Sequence, residues 1–571
     1  MFVMGFIELG LAGSISLLGV ALADPASLNK IDLLRRIFEF LPTIGSEMPQ
    51  QIQMLFFVLI LVCTATVIKN LAIGFMTYWQ CLVAQEVAWD ISLKIFNNYI
   101  AAPYIWHTQN NPGELFNYLN WRIHSSTFFT GLLQSLSQAG IMLFLLVGAF
   151  TMAPAVSVLL YGVSACVALL IYKMAQRRAR DAGARTGELS EISSRVAHAA
   201  LHGIREVKIY NQQLAFIQSY QSLARPTALA AAKQGVFPPL PQWWLESTGM
   251  LLLLCGVLLM VVLGDSVASI TGTLTLMAAV SWRLLPALNK TVGGVLMMKA
   301  QITPVSILLR KCLSIPDLQG ETSTLPFHHS LDLQHIDFTY PDSCKPSLRD
   351  INITIPKRSM VGFIGLSGAG KSTLVSILTG LVVPTSGKIL VDGKEVHASP
   401  GFLKIGYVPQ NPYILDATLA ENVAFADWGK GPDQKRVLEC CKLAAMDFLE
   451  DLPQGIHTVM GDRGVRLSGG QVQRVAIARA LYDTPDLLLF DEATSALDGA
   501  TEAAIQSTIL SLRDNMTIVI VAHRLSTVEA CSHLYWLQDG QVVKQGNAAQ
   551  VLPEYQNFLK KHLTDARTEQ S

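Results

Sequence analysis

Apolar residues form long uninterrupted runs in the first half of the chain and short alternating runs in the second half. The longest run, from Ser125 to Tyr172, contains no Asp, Glu, Lys, Arg or His. It is about twice as long as the roughly 20 residues that one membrane-spanning helix requires. Because Met152-Ala153-Pro154 in its middle predicts a turn, this run divides into two spans. The whole pattern predicts six spans, at about 1–23, 51–83, 125–150, 154–174, 247–264 and 267–289.

The first apolar run is interrupted only by Glu8. It lacks the basic n-region and the small-residue cleavage site of a signal peptide, so we predict a membrane helix there. An even number of spans places both ends of the chain on the same side of the membrane. The segment from Lys173 to Glu246 carries ten Lys and Arg against five acidic residues, which is typical of a cytoplasmic loop.

The composition agrees with a membrane protein. The chain is 51% hydrophobic and 15% charged, whereas about 25% of the residues of a soluble protein are charged. The alternative, a soluble protein with large buried helices, does not explain an uncharged run as long as 125–172. Nine cysteines without a CxxC pair and a net charge of +0 argue against metal clusters, disulfides and a nucleic-acid partner.

Hydrophobicity falls between 301 and 325, where Pro304 and Pro316 also occur, and we place a domain boundary there. The predicted units are a helical transmembrane domain at 1–310 and a second domain at 328–571. In the second domain, strands are predicted at 331–340, 360–364, 388–392, 487–490 and 517–521, with helices between them. This alternation predicts an α/β domain with a largely parallel sheet, whose ligand binds at the carboxyl ends of the strands.

A phosphate-binding loop follows the strand at 360–364. Its residues are Gly365, Leu366, Ser367, Gly368, Ala369, Gly370, Lys371, Ser372 and Thr373. The glycines allow backbone N–H groups to surround a β-phosphate, the following helix adds its positive end, and Lys371 reaches the β and γ oxygens. The hydroxyl of Ser372 is placed to ligate Mg²⁺. ATP and Mg²⁺ are therefore the expected ligands.

Two acidic residues follow the apolar strand at 487–490. A lone carboxylate at Asp491 would be costly there unless it met a cation, so we predict that it holds Mg²⁺, directly or through water. Glu492 points differently and is the candidate general base, or the residue that orients the attacking water. The alternative for Glu492 is a surface acid at the end of a strand.

Three further residues complete the predicted site. The amide of Gln410, in Tyr407-Val408-Pro409-Gln410, can approach Mg²⁺ and water, and His523 can bond the γ-phosphate from the end of the strand at 517–521. Tyr340 ends the first strand and can stack on adenine. Each has a structural alternative: a loop glutamine, a structural histidine and an ordinary strand aromatic.

A fourth motif lies between the phosphate-binding loop and the acidic pair. Its residues are Leu467, Ser468, Gly469, Gly470 and Gln471. An LSGGQ in this place separates the ATPases of ABC transporters from other P-loop enzymes, and residues 328–563 resemble the nucleotide-binding domain of that family, which includes a signature helical subdomain. The resemblance implies that Ser468 and Gly470 contact the γ-phosphate held by the opposite subunit, and that Asp498 belongs to the D-loop that crosses the same interface.

The membrane half resembles the exporter-type fold, so the chain is expected to work as a dimer. A homodimer is the simplest assembly because no catalytic position is degenerate, and a heterodimer is the alternative. Short stretches such as Ala102-Pro103-Tyr104 resemble the corresponding stretches of bacterial flippases of lipid-linked oligosaccharides. A cation inside a span is costly in hydrocarbon, so Arg283 is the candidate for an anionic group of the substrate.

The resemblance implies an ATP-driven exporter in the bacterial inner membrane with a cytoplasmic ATPase domain. The expected substrate is a lipid-linked oligosaccharide or a similar amphipathic molecule, moved outward from the cytoplasmic leaflet. Export of lipid, peptide or drug by the same mechanism is the alternative. A soluble ABC ATPase and an importer are further alternatives, which the six spans and the fusion of both domains in one chain disfavour.

Overall fold

The computed structural model describes residues 50–152, 154–237, 239–262, 267–313, 324–341, 343–461, 467–493, 499–522 and 524–568, together with residues 5, 7, 10, 11 and 14. The chain divides into two compact units. The first comprises Met1–Ala102 and His107–Asp317, and the second comprises Pro103–Trp106 and Leu318–Ser571. The predicted span at 1–23 lies outside the described residues except at five positions.

The first unit is helical throughout its described part. Its helices are α1 (Gln50–Ala101), α2 (Tyr104–Gln109), α3 (Pro112–Asn120), α4 (Arg122–Met152), α5 (Pro154–His202), α6 (Ile204–Ile209), α7 (Gln213–Val236), α8 (Leu240–Val262) and α9 (Val267–Leu313). The end of α2 belongs to this unit, and its beginning belongs to the second. Among the described residues, the segments Leu59–Ala101, Pro112–Val147 and Leu284–Lys311 are long and apolar enough to cross a membrane.

Small residues allow α4 and α9 to pack closely within this unit. A Cβ atom on Gly131 would lie 2.9 Å from the carbonyl oxygen of Gly294, and one on Gly294 would lie 2.3 Å from the Ser135 hydroxyl. That hydroxyl donates to the Gly131 carbonyl at 2.7 Å, and it also lies 3.3 Å from the Thr291 carbonyl. Close approach of backbones through small residues and a polar contact is typical of helix packing in membranes.

The second unit contains strands in two main sheets. The strands are β1 (Ser330–Phe338), β2 (Leu348–Pro356), β3 (Met360–Ile364), β4 (Ser386–Val391), β5 (Lys394–Val396), β6 (Ile405–Val408), β7 (Ala417–Thr418), β8 (Val459–Met460), β9 (Leu487–Asp491), β10 (Thr517–Val521), β11 (His533–Gln538) and β12 (Gln541–Gly546). Six of them form a sheet in the order β12-β11-β3-β10-β9-β6, in which only the β11–β12 pair is antiparallel. The order β2-β1-β4-β5 forms a separate antiparallel sheet, which the sequence pattern did not predict.

The second unit also contains helices. They are α10 (Lys371–Leu378), α11 (Leu419–Val423), α12 (Gln434–Leu443), α13 (Gly469–Tyr482), α14 (Gly499–Leu512), α15 (Leu525–Val528) and α16 (Ala548–Thr568). Alternate residues of β9 enter two different cores. Leu488 and Phe490 pack into the core that includes residues of α13, whereas Leu487 and Leu489 pack into the core that includes residues of α10.

Candidate nucleotide-binding site

The loop between β3 and α10 has a backbone that favours glycine. Gly370 has a φ of 101°, and a Cβ atom there would lie 2.9 Å from the Ser347 carbonyl oxygen. The helix α10 begins at Lys371, and Gly370, at its N-cap, provides no side-chain cap for the first-turn N–H groups. An uncapped helix start after a glycine loop suits a phosphate, because its N–H groups and the helix dipole attract anions.

Lys371 is the first residue of α10, directly after this loop, and is buried. Its ammonium donates to the carbonyl oxygens of Gly365 at 2.9 Å and Leu366 at 3.0 Å. Burial lowers the pKa of Lys371, and the negative charges of Glu492 and then Asp491 oppose that shift. A phosphate would take the place of the carbonyl partners as a stronger, charged acceptor.

A cavity of about 700 Å³ adjoins the loop. Its lining comprises Ser343, Lys345, Pro346, Ser347, Arg349, Ser367, Gly368, Gly370, Lys371, Ser372, Thr373, Glu492, Asp539 and Gly540. Sequence reasoning missed Lys345, Arg349 and Asp539, because they lie in or next to β2 and β11, in segments without a motif. Two cations beside a phosphate loop add positive potential at the place where a triphosphate would bind.

Tyr340 lies at the edge of the same loop. Its hydroxyl is 3.4 Å from the Thr373 hydroxyl, and its ring packs edge-on against Phe338 with centroids 4.8 Å apart. This position beside the phosphate-binding loop agrees with the role predicted for Tyr340 on the base of the nucleotide, which stays a prediction.

The two carboxylates at the end of β9 are held by the segment that contains β6. The Tyr407 hydroxyl donates to Asp491 Oδ2 at 3.2 Å, and Gln410 Nε2 donates to Glu492 Oε2 at 3.1 Å. Glu492 has a φ of 49°, in the left-handed region, and its N–H donates to the Val521 carbonyl at 2.9 Å. Burial, followed by the charge of Asp491, raises the pKa of Tyr407, so this hydroxyl remains a donor at neutral pH.

The donor set fits Mg²⁺ in the form of a nucleotide complex. Ser372, Gln410 and Asp491 offer one hydroxyl, one amide and one carboxylate oxygen, which are hard ligands of the kind that Mg²⁺ prefers. Among the described residues, no group of three His, Cys, Asp or Glu side chains could hold a metal. Mg²⁺ usually keeps several waters and is bound by one or two carboxylates together with substrate phosphates. When bound, it would neutralise developing charge on those phosphates.

The LSGGQ residues form the start of α13. Ser468 is the N-cap: its hydroxyl accepts from the Gln471 N–H at 3.3 Å, and its own N–H donates to Gln471 Oε1 at 2.9 Å. Ser468 and Gly469 are exposed. None of 467–471 is among the described residues that line the cavity at the phosphate loop of the same chain.

Three predicted site residues cannot be placed in this geometry. His523 and Asp498 lie outside the described residues. Arg283 lies within α9, and its side chain is outside the part of the chain that the structure describes.

Two family models match the chain: the ABC transporter transmembrane region at residues 33–284, and the ABC transporter model at residues 348–495. The chain belongs to the ABC transporters. The expected architecture, a helical transmembrane domain followed by an α/β ATPase domain, is therefore confirmed, as is the integral membrane location with a cytoplasmic ATPase domain. An ATPase domain of this type implies that the bound nucleotide is ATP.

Curated relatives match this ABC transporter over part of its length. The leukotoxin translocation ATP-binding protein LktB of Mannheimia glucosida and that of Mannheimia haemolytica are each 37% identical over 244 residues, which is 42% of this chain. The chain spans about a third of the length of these relatives, 33% of each.

The solved structure of a bacterial Atm1-family ABC exporter with ATP bound is similar over 96% of both chains. Its TM-score is 0.75 and its sequence identity is 24%. At this identity the likeness establishes the fold alone.

Proposed function

We propose that this protein is an ATP-driven exporter that works as a dimer of two identical chains. One observation carries the proposal. A single cavity contains the phosphate-binding loop, Lys371 and Glu492, while the exposed start of α13 lies outside it. Because Ser468 is exposed and does not line the cavity of its own chain, we assign it to the nucleotide site of a second copy, and the family resemblance assigns that contact to the γ-phosphate.

The residues of one chain divide the chemistry of ATP hydrolysis among them. The N–H groups of Gly368 to Ser372 and the Lys371 ammonium bind and orient the β- and γ-phosphates. Glu492 receives the proton of the attacking water, or orients that water in line with the leaving group. The hydrogen bond from Gln410 holds the Glu492 carboxylate at the cavity.

Transport follows from the difference in ATP affinity between two states of the dimer. A ligand shifts a conformational equilibrium only by as much as it binds one state better than the other. ATP that touches Lys371 of one chain and Ser468 of its partner binds the closed dimer better than the open one. Closure then favours the outward-facing state, and hydrolysis at Glu492 restores the starting state.

The substrate we propose is a lipid-linked oligosaccharide or a similar amphipathic molecule. The proposal rests on the sequence resemblance in the membrane half and on Arg283, a cation within α9 that suits a pyrophosphate group. Protein export is the second candidate, because the printed name of LktB describes leukotoxin translocation. Both candidates use the same ATPase cycle.

Reconstituted vesicles test the proposal and separate the two substrate classes. ATP hydrolysis is measured with lipid-linked oligosaccharide, with unfolded polypeptide, or with neither, alongside ATP-dependent movement of the labelled lipid. We expect the lipid-linked sugar to stimulate hydrolysis and to be moved, and the Arg283→Ala variant to lose both effects while keeping basal hydrolysis. Stimulation by polypeptide alone would assign the substrate to the second class. Wild-type movement of the lipid by Arg283→Ala would remove Arg283 from the proposed site, and absence of any ATPase activity would contradict the exporter itself.

A further inference from the structure

Tyr407 lies on the same face of the sheet as Asp491. β6 and β9 are parallel neighbours, and Tyr407 is paired with Leu489 while Val408 is paired with Phe490. Successive side chains of a strand point to opposite faces. Val408 and Phe490 share one core, so Tyr407 faces the other side together with Leu489 and, two residues further on, Asp491. That side carries α10, whose first residues belong to the phosphate site.

The Tyr407 hydroxyl contacts Asp491 directly. It donates to Oδ2 over 3.2 Å, from a side chain that is 37% exposed. A phenol has a pKa of about 10 and is protonated at neutral pH, so its proton can be given to a carboxylate acceptor. A hydrogen bond to a charged acceptor is stronger than a neutral one, and it restricts the orientation of the carboxylate.

Tyr407 and Gln410 act on neighbouring carboxylates. They lie three residues apart, and each donates to one of Asp491 and Glu492. Both acidic residues are partly buried, whereas both donors are more exposed than their acceptors. One short segment, 407–410, therefore donates a hydrogen bond to each of the two acids at the end of β9.

We infer that Tyr407 is a positioning residue that holds the Asp491 carboxylate in the orientation that meets the Mg²⁺ of Mg–ATP. The inference rests on the proposed function, because Asp491 has this task only in an ATPase. It extends that function by assigning a part in metal affinity to a side chain for which the sequence alone predicted no role. Loss of the phenol hydroxyl should weaken metal binding to the nucleotide complex without weakening binding of the nucleotide itself.

A Tyr407→Phe variant removes only the donor, and Tyr482→Phe is its matched control. Tyr482 is buried in the same unit and is not among the residues that line the cavity. Its hydroxyl donates to Asp427 Oδ2 at 3.0 Å and accepts from the Asp433 N–H at 3.1 Å. Both substitutions therefore break a tyrosine–aspartate hydrogen bond, and only one of them touches Asp491. Melting temperatures of both variants verify that they fold.

The measurement is Mn²⁺ binding, followed by electron paramagnetic resonance, to the full-length protein saturated with a non-hydrolysable ATP analogue. We expect the Kd for Mn²⁺ to be about fivefold larger in Tyr407→Phe, which corresponds to the free energy of one hydrogen bond. The Kd in Tyr482→Phe should not change. Affinity for the analogue in excess EDTA should equal that of the wild type in both variants. The same shift should raise the Mg²⁺ concentration that gives half-maximal ATPase activity.

Three results would overturn the inference, and they are distinguishable. An unchanged Kd for Mn²⁺ in Tyr407→Phe, or an equal shift in Tyr482→Phe, would remove Tyr407 from the metal site while leaving the ATPase intact. Absence of nucleotide-dependent Mn²⁺ binding in the wild type would contradict the proposed function together with this inference.

Discussion

Glu492 and Asp491 are adjacent in sequence, yet their carboxylates have different partners. Asp491 is the last residue of β9 and keeps the alternation of the strand, whereas Glu492 has a φ of 49°. A left-handed conformation costs about 1–2 kcal/mol for a residue with a side chain, and the bond from its N–H to the Val521 carbonyl helps to hold it. The strained backbone turns Glu492 toward the cavity and Gln410.

The sequence predicted these acids because an apolar strand followed by two carboxylates is a local pattern. The same reasoning could not find Tyr407, Lys345 or Arg349, since each reaches the site only through sheet order or loop packing. Motif residues carry their own sequence signal, whereas residues that orient them depend on contacts between segments that are distant in the chain.

Glu492→Gln should separate ATP hydrolysis from ATP binding. The amide keeps the size of the side chain but cannot accept a proton, so ATP hydrolysis should fall at least about a hundredfold while ATP remains bound. Phosphate release and retention of radiolabelled ATP measure the two effects. Glu439→Gln is the control, because Glu439 is an exposed acid of the same unit that pairs with Arg436 at 3.2 Å. Hydrolysis by Glu492→Gln at the wild-type rate would rule out its proposed role.

At the scale of elements, short buried strands were predicted well. The bounds predicted for β3 and β10 match the structure, because each is a brief apolar run ended by a loop. The antiparallel sheet was missed although β2 alternates buried and exposed residues along most of its length, and β5 has only three residues. The predicted spans mark only the apolar part of a helix: α5 continues to His202, well past the span predicted at 154–174. Its later turns are polar, so hydropathy gives no signal there.

The start of α13 allows a test that separates helix capping from nucleotide contact. Ser468 and Thr418 each form a capping box, with Gln471 and Glu421 respectively. Replacing either residue by Ala should cost about 1 kcal/mol of stability, since a cap hydrogen bond is lost. Only Ser468→Ala should also lower ATPase activity. We expect a decrease of about tenfold, the effect of one lost hydrogen bond to a phosphate.

Stability is measured by chemical denaturation, and activity by phosphate release at saturating ATP. Equal loss of activity in Thr418→Ala and Ser468→Ala would show that the start of α13 matters only for folding. The assignment of Ser468 to the partner's nucleotide would then be wrong.

At the scale of the whole molecule, the sequence predicted a membrane half and an ATPase half, and the family models confirm both. The partner and the substrate were not predictable in the same way. A homodimer leaves no pattern in the sequence of one chain, apart from surface residues such as the exposed Ser468. A substrate cavity is formed by several helices, so its lining depends on how those helices pack. The central claim is therefore that each ATP site needs residues from two chains.

Disulfide cross-linking between Ser367→Cys and Ser468→Cys tests that claim most directly. Both serines are exposed, and the Glu492→Gln background, freed of native cysteines, should hold ATP in the closed state. We predict that oxidation yields a species of twice the chain mass in ATP and little without nucleotide, whereas either cysteine alone yields none at this interface. An ATP-independent product, a bond formed only within one chain, or no bond at all would contradict the account.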